Sequence, residues 1–471
     1  MKGFARRPLV TALLWSGVLL AGGCTVGPDY QRPQPDMPMA YKEPASTDEA
    51  FANLPWWGLF ADATLNALIE EALANNRDLG VAVSRIEEAA GILRIVRANQ
   101  FPFFDAQAGA GRSSPSENVF SGGGVTENTF SLSGVASFEL DLWGKLRRAT
   151  EAARADLLAS EASARNVTIS LIASVAISYF QLLDLDNRQR IALRTLKSRE
   201  DALLIIQERF AKGTVPELDV NQAEIEAADA QATVASFDRA VRQTENAVSV
   251  LVGSQPRGIA RGAQLAQQTL PVEVPAGLPL SLLERRPDIL AAEQQLAAET
   301  ARIGIARAQR LPSLSLTGSF GYASRDLSDL VESDSESWNL LANLFAPIFN
   351  AGQLKSVEEV QSQRVEQARL SYEQAVLSGL RDVDDSLTDL RTSRDEHIAR
   401  QRQLAAARSA ARLSRARYDG GLVSYLEVLD SERSLFQAEL LESQTRQQQL
   451  SAVVSLYRAL GGGWLADEAP E

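Results

Sequence analysis

A segment near residue 210 recurs near residue 418, and this duplication constrains the fold more than any other feature of the chain. Arg209-Phe210-Ala211-Lys212-Gly213-Thr214-Val215 returns 208 positions later as Arg417-Tyr418-Asp419-Gly420-Gly421-Leu422-Val423. At the same offset Gly144 meets Gly352, and Leu251-Val252-Gly253 meets Ala459-Leu460-Gly461. Arg97-Ala98-Asn99-Gln100-Phe101-Pro102 pairs with Arg307-Ala308-Gln309-Arg310-Leu311-Pro312 at offset 210, so a two-residue length difference lies between. Solenoid repeats have periods of roughly 20–50 residues. A period this long is the duplication of a whole half.

Each half reads in the same order. A helix comes first, over about 63–100 and 287–310, ended by the residue before a proline. Two alternating stretches follow, about 103–112 and 129–140 in one half, 313–324 and 337–349 in the other. Their connections are rich in Gly or in acids, which makes each pair a hairpin. Then comes a very long helix: 145–212 has no Gly or Pro, and 353–419 has only Gly379. At 1.5 Å per residue each is a rod of roughly 100 Å. Shorter stretches, 217–252 and 422–460, return antiparallel after a Gly turn. The first repeat thus spans 63–253, with a helical hairpin over about 145–252. The second spans 287–461, with one over about 353–460. A Pro-rich connection, 254–286, joins them, and 462–471 is a C-terminal tail.

The long helices carry a heptad pattern. Val175, Leu182, Leu196, Leu203 and Phe210 share a seven-residue register interrupted by Gln189. Val383, Leu390, Leu404, Ala411 and Tyr418 repeat it, interrupted by His397. Sustained 3.5-residue spacing means supercoiled helix packing. The single histidine therefore falls in a polar layer or at an exposed position.

Composition removes several classes of function. One Cys and one His, Cys24 and His397, exclude a disulfide framework, a Cys/His zinc site and a Cys–His nucleophile within one chain. A net charge of −13 argues against binding nucleic acid, whose phosphates it repels. No nucleophile–base pair and no Walker-type phosphate loop is present, so the chain reads as a non-enzyme.

The N-terminus predicts export. Lys2, Arg6 and Arg7 precede an uncharged run from Pro8 to Gly23, the layout of a signal peptide over 1–23. Leu20-Ala21-Gly22-Gly23-Cys24 resembles a lipobox, with Ala21 where Leu is usual, so Cys24 is the expected carrier of diacylglycerol and an N-acyl chain. The alternative is an ordinary signal peptide with an incidental cysteine. Thr25, where an Asp would retain a lipoprotein in the inner membrane, favours the outer membrane. Residues 24–62, rich in Pro, form an extended, lipid-anchored arm.

The hairpins leave two readings open: ordinary soluble hairpins, or transmembrane strands of about ten tilted residues. In hydrocarbon, four strands need further chains, because open edges leave backbone groups unpaired. Two chains would give eight strands and three would give twelve; a conducting pore favours three or more.

With these features together, the sequence resembles the outer membrane factor (TolC-like) family of efflux channels, nearest to its OprM/NodT-like lipoprotein branch. The marks are Gly27-Pro28-Asp29-Tyr30-Gln31-Arg32-Pro33 after Cys24; Leu282-Leu283-Glu284-Arg285-Arg286-Pro287-Asp288-Ile289; and Pro312-Ser313-Leu314-Ser315-Leu316-Thr317-Gly318. Gly421 with Tyr425-Leu426-Glu427-Val428-Leu429-Asp430, and Leu456-Tyr457-Arg458-Ala459-Leu460-Gly461-Gly462-Gly463-Trp464, complete them. The resemblance implies a mainly α fold with a transmembrane β-barrel: a homotrimer with four strands per chain in a twelve-stranded barrel, joined to a twelve-helix periplasmic α-barrel with an equatorial belt. It implies a passive exit duct for small molecules or ions in the outer membrane, without a cofactor beyond the covalent lipid. Its partners would be a periplasmic adaptor (membrane fusion) protein, an inner-membrane pump of the resistance-nodulation-division type, and outer-membrane lipid.

By the same resemblance the adaptor-docking tips are Lys212, Gly213, Thr214 and Val215 with Gly420, Gly421, Leu422 and Val423. The bland alternative is that these residues only reverse the chain. Some relatives close the tunnel mouth with acidic rings. Here the last helical turns carry Glu208, Arg209, Arg408, Arg412, Arg415 and Asp419, either a gate of Arg–carboxylate pairs or a solvated face. Two other functions stay open from sequence: a conduit for type I protein secretion, and a lipid-anchored structural coiled coil.

Overall fold

The computed structural model describes residues 25–34, 37–42, 60–116, 118, 124–270, 279 and 282–462. The leader, Cys24 and the tail beyond 462 lie outside the described residues, as does most of the arm between 43 and 59. The helices are α1 (Ala63–Asn75), α2 (Arg77–Ala98), α3 (Lys145–Ala211), α4 (Glu217–Leu251), α5 (Leu282–Arg285), α6 (Pro287–Ala308), α7 (Gln353–Asp419) and α8 (Tyr425–Ala459). The strands are β1 (Phe103–Ser113), β2 (Glu127–Leu140), β3 (Ser313–Ser324) and β4 (Glu336–Phe345).

The duplication is visible in the lengths. Helices α3 and α7 have 67 residues each, and α4 and α8 have 35 each. Helices α2 and α6 have 22 each. Two sequence expectations need correction. The first helix is broken at Asn76, whose extended backbone ends α1 and whose side chain accepts from the Leu79 N–H at 2.9 Å to start α2. Asn competes for backbone hydrogen bonds in this way, and the apolar periodicity on either side conceals the break. Strand β4 ends at Phe345 instead of near 349, because Pro347 has no N–H to give a ladder.

The chain packs as two compact units, each drawing on both repeats. One gathers the described parts of Met1–Gln34, Arg85–Glu161 and Ala291–Tyr372. It holds the four-stranded antiparallel sheet, in the order β1-β2-β3-β4, with β1 and β4 at its edges. Residues 25–32 are docked here: Asp29 pairs with Arg148 at 2.7 Å, and Arg32 clamps Glu293 through two bonds of 2.7 Å.

The other unit gathers Pro35–Ser84, Ala162–Leu290 and Glu373–Glu471 in their described parts. Its core is built on Val175, Ala176, Tyr179, Phe180 and Leu182 of α3, packed with Leu65 and Ile69 of α1 and with Leu450, Val453 and Val454 of α8. By length and hydropathy α3 could cross a bilayer, but more than half of its most apolar window is buried; it is a core helix. Asp62 caps α1 and also receives the Tyr179 hydroxyl at 2.9 Å and the Gln268 amide at 2.7 Å, which ties the connection between repeats to this core.

Candidate functional site

The sheet has one predominantly apolar face and one predominantly polar face. Directly opposed residues of antiparallel strands project to the same side. In all three pairings an even-numbered residue faces an even-numbered one, such as Ala106 with Gly134, Gly134 with Phe320, and Phe320 with Trp338. The even face carries Phe104, Leu132, Leu316, Phe320, Trp338, Leu340 and Leu344 among its apolar side chains. The odd face is mostly polar, with Gln107, Ser131, Ser133, Ser315, Thr317, Ser319, Asn339 and Asn343, and carries Phe103, Val135, Leu341 and Phe345 as its large apolar side chains.

In a water-soluble fold the apolar face would cover a core. Here it is open: Phe104 is 79 % exposed, Trp338 75 %, Leu340 74 % and Leu344 69 %. No helix or loop among the described residues covers them. A strand of this length, tilted by about 45°, rises roughly 25 Å, the height of the apolar band of an outer-membrane barrel. The arrangement suits lipid on one side and water on the other.

The helical hairpins end in two equivalent turns. Gly213 and Gly421 have φ of +71° and +72°, the left-handed region that only Gly enters at little cost. Each helix closes by the same pair of bonds: Thr214 N–H to Arg209 O with Gly213 N–H to Phe210 O, and Leu422 N–H to Arg417 O with Gly421 N–H to Tyr418 O. These satisfy carbonyls the helix end would otherwise leave unpaired. Lys212, Gly213, Thr214, Gly420, Gly421 and Leu422 are exposed, Leu422 at 74 %. Val215 and Val423 are not the open groups expected from sequence; both are half-buried. Val215 packs on a small core of Ile206, Tyr425, Val428 and Leu429 that joins the two turns. Phe210, expected on the heptad seam, is 44 % exposed, since a seven-residue register drifts around a helix over several turns.

The description "outer membrane efflux protein" matches residues 68–254 and again 278–462, one match on each repeat. The chain belongs to the outer membrane efflux protein family. The toluene efflux pump outer membrane protein TtgI of Pseudomonas putida is 37 % identical over 462 residues, covering 95 % of this chain and 97 % of that one. The cation efflux system protein CusC of Escherichia coli K12 is 35 % identical over 445 residues, covering 94 % and 96 %. Among solved structures, the open-state MtrE outer membrane channel of Neisseria gonorrhoeae superimposes with a TM-score of 0.84 at 32 % identity, covering 93 % and 98 %.

In this efflux-family chain, the charges near the turns fall into distinct environments. Arg209 stacks on the Tyr418 ring, 5.3 Å from its centroid. Arg408 reaches Glu439 at 3.5 Å, and Arg415 reaches Glu432 at 3.7 Å and Asp419 at 3.9 Å. Glu208 and Arg412 are exposed and have no ion pair among the described residues. The six candidate gate residues are therefore not assembled into one cluster.

Sequence reasoning missed a stronger constellation deeper in the hairpins. Glu226 of α4 is buried between Arg199 of α3, at 3.0 Å, and Arg433 of α8. It links helices of both repeats. A carboxylate at a small-residue position of the α4 seam, among Ala223, Ala227 and Ala230, was the available signal. Removing one member of a buried ion group strands the others, at a cost of about 3–5 kcal/mol. Glu226→Ala is expected to lower stability by that amount, measured by denaturant unfolding of the detergent-solubilised protein, whereas Glu208→Ala leaves it unchanged.

His397 sits in a polar layer: Nδ1 lies 3.3 Å from the Thr445 hydroxyl, and Nε2 lies 3.0 Å from the Gln401 amide. Burial holds its imidazole below the usual value. No group of three or more potential metal ligands exists among the described residues.

Proposed function

We propose that the chain is the passive outer-membrane exit duct of a tripartite efflux pump, carrying small molecules or ions out of the cell. The observation that carries this reading is the sheet, which among the described residues has an uncovered, mostly apolar face, a mostly polar face and two unpaired edges. Such a sheet is stable in a bilayer only when further strands close it. Three chains give a twelve-stranded barrel wide enough for a polar lumen, continued by a twelve-helix α-barrel. The exposed turns at Gly213 and Gly421 receive the periplasmic adaptor, and the adaptor connects to an inner-membrane pump of the resistance-nodulation-division type. TtgI and CusC, named for toluene and cation efflux, support small cargo.

Within this assembly, residues 1–23 are the leader and Cys24 carries the lipid. The arm 24–62, the connection 254–286 and the tail 462–471 form the equatorial belt, and the two repeats supply barrel and tunnel. Molecular mass in mild detergent is expected to correspond to three chains; a functional monomer or dimer would overturn the assembly. Cys24→Ser is expected to abolish incorporation of radiolabelled palmitate while leaving part of the transport intact, because the barrel itself holds the protein in the membrane. Label persisting in the variant would overturn the anchor assignment.

A further inference from the structure

The second repeat carries a polar layer that the first repeat does without. His397 of α7 is buried, 7 % exposed, and lies against Thr445 and Glu442 of α8. At the repeat offset of 208 its neighbours Gln401, Glu442 and Thr445 correspond to Leu193, Val234 and Phe237, and His397 itself to Gln189. The first hairpin thus has apolar residues where the second has three polar ones. A hairpin of this length does not need an ionisable group at that level.

The bonds around the ring place its protons. The Thr445 hydroxyl donates to the Glu442 carbonyl at 3.0 Å, so towards Nδ1, 3.3 Å away, it can only accept. The neutral ring therefore carries its proton on Nδ1, and Nε2 accepts from the Gln401 amide at 3.0 Å. A second proton, on Nε2, would point at that amide donor.

Charges reach this layer from three helices. From α8, Arg446 opposes a positive ring, while the Glu442 carboxylate lies 4.0 Å from Nε2. Arg446 is itself bonded to the Gln268 carbonyl of the connection at 2.6 Å. Asp184 of α3, which receives the Ser443 hydroxyl at 2.5 Å and Arg188 at 3.5 Å, acts on Glu442, as do Glu439 of α8 and Arg408 of α7. On α7 beside the ring, Glu396 and Arg400 pair with each other at 3.0 Å.

We propose that His397 is an acid-operated joint between α7 and α8: a second proton breaks its bond with Gln401, turns Nε2 towards Glu442 and loosens the hairpin. Burial, together with Arg446, holds the imidazole below its usual value. The unfolded chain then binds the proton at a higher pH than the folded one. The stability that the neutral ring contributes is complete above about pH 6.5 and is lost as pH falls from there towards the folded value. Burial pushes the Glu442 carboxyl up, so in acid it gives up its charge, and its hold on the imidazolium, sooner than a surface acid would. In the duct reading this hairpin is part of the periplasmic wall, and the joint makes that wall respond to acid.

One histidine gives one imidazole signal, so carbon-13 labelling of histidine in the full-length protein in detergent reads its titration directly. The midpoint is expected below about 6.5, and Glu442→Gln is expected to lower it by a further half unit or so, about threefold in proton affinity. A midpoint at or above the usual value overturns the proposal, and so does an unchanged midpoint in Glu442→Gln. Hydrogen exchange supplies the second readout, corrected for the pH dependence of intrinsic exchange. Between about pH 7.5 and about pH 5.5 it is expected to rise severalfold in peptides covering 394–404 and 438–449, and to stay level in the counterparts 186–196 and 230–241. His397→Gln, which installs the residue of the first repeat, is expected to fold and to lose this acid response. A response that persists in His397→Gln, or that is equal in both hairpins of the wild type, overturns the joint. None of these readouts measures transport, so the duct reading stands or falls separately.

Discussion

Leu340→Arg is expected to prevent accumulation of the folded oligomer in the outer membrane, whereas Asn339→Arg, one residue earlier, is expected to be tolerated. Leu340 lies midway along β4, on the apolar face and opposite Gly318, and Asn339 lies on the polar face opposite Ser319. A guanidinium placed near the middle of the lipid band of a barrel costs about 2–4 kcal/mol, and one facing the lumen costs little. At 1.4 kcal/mol per tenfold, even the lower figure is roughly thirtyfold in each chain, compounded over the assembly. The measurement is the heat-modifiable oligomer in outer-membrane fractions. Equal effects of the two variants would mean that the faces are wrongly assigned; a larger effect of Asn339→Arg would mean that they are reversed.

The turns make the second large expectation. Leu422→Asp is expected to leave expression and assembly near normal and to abolish efflux, because Leu422 is 74 % exposed and contributes nothing to the core beneath it. Placing an unpaired carboxylate in an adaptor contact adds a desolvation cost of a few kcal/mol. Gly421→Asp should act in the same direction with an added backbone cost, since its φ of +72° disfavours any side chain. Val423→Asp is a weaker probe than Leu422→Asp: this half-buried side chain tests the turn as well as the contact. Thr214→Cys and Leu422→Cys are expected to capture the adaptor on crosslinking, and Asp326→Cys in the β3–β4 loop is not. Normal transport by the tip variants, with loss of adaptor contact in the loop variant, would invert the proposed orientation.

What could be read from the sequence alone is what local chemistry and repetition control. The absence of Pro, and of any Gly but Gly379, marked out two 67-residue helices. The glycines at 213 and 421 marked their reversals, and alternation marked four strands. The offset of 208 related the long helices and their turns, because a duplicated sequence folds twice into the same local structure.

Tertiary structure settled which partner each apolar group meets. Tyr179 and Trp338 are both large aromatic residues in apolar surroundings of sequence, yet one is fully buried and the other three-quarters exposed. Helices α2 and α6 are equivalent by repeat, yet among the described residues α6 buries Leu296, Ala298 and Ile303 whereas α2 buries only Ala82, because α6 is bonded to both Asp156 of α3 and Glu358 of α7. Glu226 is one of several acids along α4, and only the packing of α3 and α8 brings Arg199 and Arg433 to it. Val215, next to a turn that had to be exposed, folds back on Tyr425 and Leu429. Burial and ion pairing depend on what lies opposite a residue in space. That is set by the register of strands and the packing of helices far apart in sequence, which local pattern does not encode.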